Sequence, residues 1–329
     1  MAAGAGLVDT RTMRLIAGDV GGTKTLLQLV EDGVAVMQQR FESGRYATFD
    51  DLLGSFMVLM HEPVDAACFA VAGPVLDDKA EVTNLQWLME GRALAQSFGI
   101  GRVALVNDFY AVALGVPLLK DEDLITLNAG VRQPGAPIAI LGAGTGLGQA
   151  FITFQDDRWI VIPSEGGHAD FAPQDEEQTR LWLFLHEKYG HVSWERLVSG
   201  MGLVNIFTFL GGAPETTAAD VASFADAGNA RAVRAFEIFV DIYGAEAGNM
   251  ALRVLARGGV FLAGGVAAKN RGHFTGGRFM EAFLRKGRFQ EMLKAMPVNL
   301  ITNETVGHPA TIHALVMRPH DAERNRRLA

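Results

Sequence analysis

The sequence predicts a two-domain α/β protein with a mixed sheet in each domain. Two observations carry that expectation. Apolar strand-like runs alternate with helical stretches along the chain, and a glycine-rich turn set between two such runs occurs twice, about 125 residues apart. The first hairpin runs from Leu15 to Val30 around Gly18-Asp19-Val20-Gly21-Gly22-Thr23. The second runs from Ile138 to Ile152 around Gly142-Ala143-Gly144-Thr145-Gly146-Leu147-Gly148.

The elements follow in order. A helix begins at Thr48, with Asp50 and Asp51 suited to its first turn and Phe49, Leu52, Leu53, Phe56 and Met60 on one face. Ala66 to Ala72 and Arg102 to Val106 read as buried strands, with a helical stretch from Trp87 to Phe98 between them, and Asp108 to Val116 turns helical. After the second hairpin, Trp159 to Pro163 is a strand and Asp175 to Tyr189 a helix stopped by Gly190. Asn229 to Arg257 is one long helical run, about 43 Å at 1.5 Å per residue, on which Gly244 and Gly248 admit close approach of another backbone. Gly258 to Val266 is a third strand with a glycine turn. The expected division is a small domain over 13–117, completed by a C-terminal helix at about 310–329, and a large domain over 118–309.

Composition narrows the function. With 329 residues, 49% of them hydrophobic, the chain can bury a large core. A net charge of −8 and a pI near 5.5 argue against a nucleic-acid partner, the basic stretch Arg318 to Arg327 reading as a solvated tail. The single cysteine, Cys68, precludes an internal disulfide and a multi-cysteine zinc site. No apolar run reaches the roughly 20 residues that span a bilayer, and Met1 to Asp9 has no signal-peptide pattern. A soluble, cytoplasmic protein with no membrane partner is the expectation.

The glycine turns carry the chemistry. Backbone N–H groups converging without a Cβ form nests for phosphate oxygens, and two nests suggest two half-related domains gripping one polyphosphate. The P-loop spacing misses by one residue, since Thr23 stands where glycine should precede the lysine. The dinucleotide fingerprint fails as well, because Gly142, Gly144, Gly146 and Gly148 alternate. Ordinary hairpin turns are the plainer alternative. Asp19, an acid beside a phosphate nest, calls for Mg²⁺ in between, held through water.

Asn107 and Asp108 end a strand, at the edge where α/β sheets bind ligands. Asp108 admits two readings, a helix N-cap or a general base. Glu165-Gly166-Gly167-His168 is a polar turn or a ligand clamp. Glu195 either favours the dipole of a helix capped by Ser193 or joins that clamp. His168 and Asp170 have no third metal ligand nearby. Taken together, Asn107, Glu165, His168 and Glu195 supply forked hydrogen bonds for a sugar, and Asp108 supplies the base.

These segments, together with Asn107-Asp108-Phe109, Glu165 through Pro173, His191-Val192-Ser193-Trp194-Glu195-Arg196 and Gly258 to Val266, resemble those of bacterial glucokinases, in the same order over roughly residues 14 to 310. The glycine turns are shared across the hexokinase–actin–Hsp70 superfamily; the Glu-Gly-Gly-His and Asn-Asp-Phe segments are more specific. The resemblance implies an actin-like ATPase (ribonuclease H-like) fold with a cleft between the domains. It implies ATP-dependent phosphorylation of glucose at the 6-hydroxyl, the opening step of glycolysis, by a cytoplasmic homodimer using Mg²⁺. Asp108 would be the base, and Asn107, Asp108, Glu165, His168 and Glu195 would bind the sugar. Gly18, Asp19, Val20, Gly21, Gly22, Thr23, Gly144, Thr145, Gly146, Gly264 and Gly265 would meet the nucleotide.

The chain departs from that pattern at three places. Lys24 follows Gly-Gly-Thr where many members carry asparagine. Val306-Gly307-His308-Pro309-Ala310 lacks a small, glycine-rich repeat, and Cys68 alone cannot build the zinc site of the ROK branch. Two rival classes fare worse. A sugar-sensing repressor needs a helix-turn-helix that the dozen residues before Leu15 do not form, and an actin- or Hsp70-type ATPase has no use for the sugar clamp. A kinase for mannose or glucosamine is the closer alternative, because residue types alone do not set the contact at the sugar's 2-position.

Overall fold

A computed structural model describes residues 12–303 apart from 61, 83, 84 and 157. The expected C-terminal helix, the Val306–Ala310 segment, the basic tail and the first nine residues lie outside these described residues. The chain divides into two compact units, one running through Gly115 and the other starting at Val116.

The first unit contains β1 (Arg14–Val20), β2 (Lys24–Glu31), β3 (Val34–Glu42), α1 (Phe49–Met57), β4 (Ala66–Val71), β5 (Val75–Leu76), β6 (Lys79–Val82), β7 (Trp87–Glu90), α2 (Gly91–Phe98), β8 (Arg102–Asn107) and α3 (Asp108–Gly115). Its main sheet has the order β3-β2-β1-β4-β8, with β1 antiparallel to β2 and parallel to β4, and β8 parallel to β4. The fully buried β4 reads as an unbroken apolar run because both its faces are covered. On one face Ile16, Val20, Leu27 and Phe69 pack with Phe49, Phe56 and Trp87. Thr48 caps α1 in a reciprocal box with Asp51, which fixes where that helix starts. The helix ends at Met57, so Met60 lies beyond it, packed at the margin of the core.

The stretch from Trp87 to Phe98 is not one helix. Trp87 and Met89 are buried while Leu88 is 81% exposed, a period of two that makes β7 the partner of β6; the helix begins only at Gly91.

The second unit contains β9 (Leu124–Asn128), β10 (Ile138–Ala143), β11 (Leu147–Gln155), β12 (Arg158–Ser164), α4 (Glu176–Tyr189), α5 (Gly200–Phe209), α6 (Ala218–Asp226), α7 (Ala230–Val254), β13 (Gly259–Ala263), α8 (Gly265–Lys269), α9 (Arg271–Phe274), α10 (Arg278–Leu284), α11 (Gln290–Lys294) and β14 (Val298–Ile301). Its sheet has the order β12-β11-β10-β13-β14-β9. The run β12-β11-β10-β13-β14 repeats the first unit's arrangement, an antiparallel hairpin followed by parallel neighbours. The long helix α7 forms the spine of this core. It stops three residues short of the expected Arg257, where Leu255 turns left-handed at φ 51°. Gly244 and Gly248 lie against α10: a Cβ at Gly248 would sit 2.6 Å from the Phe283 carbonyl oxygen, and one at Gly244 would strike that of Phe279. The third strand expected over Gly258 to Val266 runs only from Gly259 to Ala263, and its glycine turn opens α8.

Candidate active site

In the first unit, parallel pairing aligns the C-terminal ends of β1, β4 and β8, because Val20 is level with Val71 and Val71 with Asn107. Asp19 and the Asn107–Asp108 pair therefore share one sheet edge, two strand spacings or about 10 Å apart. The turn after Asp19 is braced from below. The Ser43 hydroxyl, buried, donates to the Gly21 carbonyl at 2.8 Å and pairs with the Thr25 hydroxyl at 3.0 Å. The Ser43 N–H donates to the Thr23 carbonyl, leaving Thr23 and Lys24 exposed at the tip. Gly18 is different in kind. A Cβ there would lie 2.5 Å from the Phe69 ring and 2.8 Å from Leu27, so core packing accounts for this glycine.

The two readings of Asp108 separate here. Asn107 Oδ1 accepts the N–H groups of Phe109 (3.0 Å) and Tyr110 (3.1 Å), so Asn107 caps α3. Asp108 Oδ1 accepts its neighbour's N–H, that of Phe109, at 2.7 Å, a contact that helps orient the carboxylate. Asn107 Nδ2 donates to the Gly73 carbonyl at 3.0 Å, which leaves that amide one further N–H for a ligand.

In the second unit the sequence-distant pieces of the clamp converge. Segments 169–171 and 192–194 are zipped by backbone bonds from Phe171 N–H to the Val192 carbonyl and from Trp194 N–H to the Ala169 carbonyl. Trp194, buried edge-on against Phe171, anchors the short 3-10 turn Trp194–Arg196. Ser193 makes no side-chain cap, so the expected capped helix is absent and Glu195 serves something else. Its Oε2 accepts the Leu147 N–H at 2.9 Å, directly after the glycine turn. A Cβ on Gly146 would collide with that same oxygen, which is why glycine stands there. Glu195 Oε1 faces His168 Nδ1 at 3.8 Å, and His168 Nε2 faces Glu165 Oε2 at 3.8 Å. Glu165, His168 and Glu195 thus form one polar cluster beside the turn. Asp170 pairs instead with His191 at 2.9 Å, and among the described residues no group of acidic, histidine or cysteine side chains is arranged to hold a metal.

The turn is bound at its own base. Gly144 N–H donates to the Gly146 carbonyl and Gly200 N–H to the Gly144 carbonyl, both at 2.8 Å, so the start of α5 is tied to it. Thr145 is exposed, and a Cβ on Gly144 would meet nothing within 4 Å. Gly264, at φ 85°, abuts the Ala143 carbonyl, which sets the Gly264–Gly265 turn beside the 144–146 turn. Ser43, Ser199 (the cap of α5) and Gln149 are supporting residues that sequence reasoning missed. Glu246 was missed too, although a lone carboxylate amid Gly244-Ala245-Glu246-Ala247-Gly248 was its signal.

The two α/β units thus repeat one sheet order, each carries a glycine-turn hairpin within it, and in the second unit a carboxylate–imidazole cluster lies beside that turn. A glucokinase from an Antarctic psychrotroph superimposes with a TM-score of 0.83 at 26% identity, over 94% of this chain and all of that one. A glucokinase from Balamuthia mandrillaris, solved in complex with glucose, shares the fold at a TM-score of 0.80 and 20% identity, over 94% of this chain and 96% of the other. The sequence model of the family described as Glucokinase matches residues 16–315. A glucokinase of Nostoc sp. is 40% identical over 328 residues, spanning 89% of this chain and 96% of that protein. The chain belongs to the glucokinase family.

Proposed function

We propose that the protein transfers the γ-phosphoryl group of ATP to the 6-hydroxyl of glucose. The observation that carries this reading is the Glu165–His168–Glu195 cluster, bonded through Leu147 N–H to the end of a glycine turn whose Gly144 faces open space. Acceptors flanking an imidazole suit a polyol, and an open backbone turn suits phosphate.

In this reading Asn107, Glu165, His168 and Glu195 orient the sugar. Asp108 takes the proton of the 6-hydroxyl as that oxygen bonds to phosphorus, and ADP leaves with the electrons of the broken P–O bond. Turns 21–23, 144–146 and 264–265 hold the nucleotide. Asp19, on the same sheet edge as Asp108, would hold through water the Mg²⁺ that accompanies ATP, an ion that would supply neutralisation of the phosphate oxygens. Gly18 stays on the turn's flank as a packing residue. We take the protein to lie outside the ROK branch, a reading supported by its single cysteine, Cys68, which is buried and cannot by itself build that branch's cysteine-rich zinc site. We take it to act as a cytoplasmic homodimer, in line with its resemblance to bacterial glucokinases. Among the described residues no helix is long and apolar enough to cross a membrane.

The test is ADP release against glucose, mannose and glucosamine, repeated with Asp108→Asn. Glucose is expected to give the highest kcat/KM. The variant is expected to bind glucose by calorimetry yet lose about 10² to 10⁴ in kcat. If it keeps more than about a tenth of the turnover, Asp108 is not the base; a preference for another hexose overturns the substrate.

A further inference from the structure

Two side chains three residues apart on α7 reach the two halves of the second unit's site, and both are fully buried. Tyr243 is surrounded by Phe239, Phe274 and Phe279. Its hydroxyl accepts the Ala143 N–H at 3.1 Å and donates toward the carbonyls of Leu141 (3.3 Å) and Ala263 (3.5 Å). Those groups mark the fork where β10 and β13 part, since Gly142 opposite Ala263 is the last pair of that ladder. One strand leads from the fork into the 144–146 turn, the other into the 264–265 turn. A single phenolic oxygen satisfies the backbone groups that the parting strands release.

Glu246 serves the other half. Its Oε1 accepts from Gln149 Nε2 (3.0 Å) and Arg253 (2.7 Å), and its Oε2 from Asn249 (3.0 Å). Gln149 stands on β11 opposite Ser164, whose hydroxyl accepts the Gly166 N–H at 3.1 Å. Gln149 Oε1 lies where Gly166 has no room for a Cβ, and among the described residues this buried oxygen has no hydrogen-bond partner. A fully buried carboxylate is costly unless paired. Here it holds an amide whose oxygen is left facing the Glu165–His168 turn.

We infer that Tyr243 and Glu246 are separate positioning residues, Tyr243 setting the glycine turns that hold ATP and Glu246, through Gln149, setting the turn that holds the sugar. This rests on the functional reading above, and it makes α7 a common strut whose two contacts can be removed independently.

The experiment measures KM for ATP and for glucose, with urea unfolding, in wild type, Tyr243→Phe and Glu246→Gln. Gln149→Met, of similar volume, serves as a second probe of the sugar half should the Glu246 variant fold poorly. Loss of one hydrogen bond's worth of positioning corresponds to a change of about 3- to 10-fold. Tyr243→Phe is expected to raise KM for ATP by that factor and leave KM for glucose within twofold. Glu246→Gln and Gln149→Met are expected to do the reverse. Variants that shift both KM values together, or neither, overturn the inference and leave the two residues as core packing. Wild type that turns over no hexose would instead sink the functional reading; ADP-induced thermal stabilisation, reduced in Tyr243→Phe alone, would then still support the nucleotide half, and equal stabilisation of all variants would overturn it.

Discussion

Gly146→Ala is a small change with a traceable consequence. The added Cβ would collide with Glu195 Oε2, the atom that accepts the Leu147 N–H at 2.9 Å. A carboxylate is the movable end of a flexible side chain, and Gly146 is not among the positive-φ residues, so the fold survives while the carboxylate swings away. What is lost is a hydrogen bond to a charged acceptor, about 1.5 to 3 kcal/mol in general. Glu195 is 22% exposed, so about 1 to 2 kcal/mol is expected once solvent screening is allowed for. The decisive measurement is a double-mutant cycle with Glu195→Ala, read both by urea unfolding and by kcat/KM for glucose. Alone, Gly146→Ala should lower kcat/KM by about 5- to 30-fold. In the Glu195→Ala background nothing remains to displace, so the same step should be nearly silent, a coupling of about 1 to 2 kcal/mol. Additivity within about 0.5 kcal/mol would refute the claim that this glycine exists to admit Glu195.

Two further outcomes can be checked on the folded protein. Burial pushes the Cys68 thiol from 9.0 up to about 12, so the folded chain holds that proton longer than the unfolded one. Its contribution is therefore complete below pH 9 and fades as pH rises toward 12, by about 1.4 kcal/mol per pH unit. Urea midpoints at pH 8, 9, 10 and 11 should fall less steeply in Cys68→Ala, and parallel curves would remove the thiol from the account. Gly248→Ala adds a helix-favouring residue worth about 1 kcal/mol. It also forces a Cβ to within 2.6 Å of the Phe283 carbonyl oxygen, and overpacking of about 1 to 3 kcal/mol should win. A raised melting temperature would show that α10 simply moves aside.

The hairpins were readable from sequence because each is a local event: apolar runs flank the turn, and partners lie within about fifteen residues of each other. The same holds for Thr48 capping α1 and Gly190 ending α4. Trp87 to Glu90 was misread because four residues are too few to separate period 2 from period 3.6 when a helix follows directly. Glu195 was placed in the right cluster, but its reason for being there was not visible. The bond to Leu147 spans 48 residues and depends on the zipping of two loops that no periodicity announces. Asn107 and Asp108 offered the same cap chemistry side by side, and only geometry assigns the cap to the first. Tyr243 and Glu246 were hidden for a related reason, since their partners lie on strands about a hundred residues earlier.

The outermost strand of the larger sheet carries a timing problem. Among the described residues β9 has one neighbour, β14, and the side-chain bond from Thr126 to Asn299 joins residues 173 positions apart. At about 5 to 20 residues per second, a ribosome needs roughly 9 to 35 s to make that interval. Throughout it β9 is an unpaired strand on a nascent chain, and β13 likewise waits with one edge bare until β14 emerges. The second unit therefore cannot close its sheet until nearly all the described chain has been synthesised. A substitution that leaves the finished enzyme untouched can still lower its yield in the cell if it makes β9 stickier during that wait.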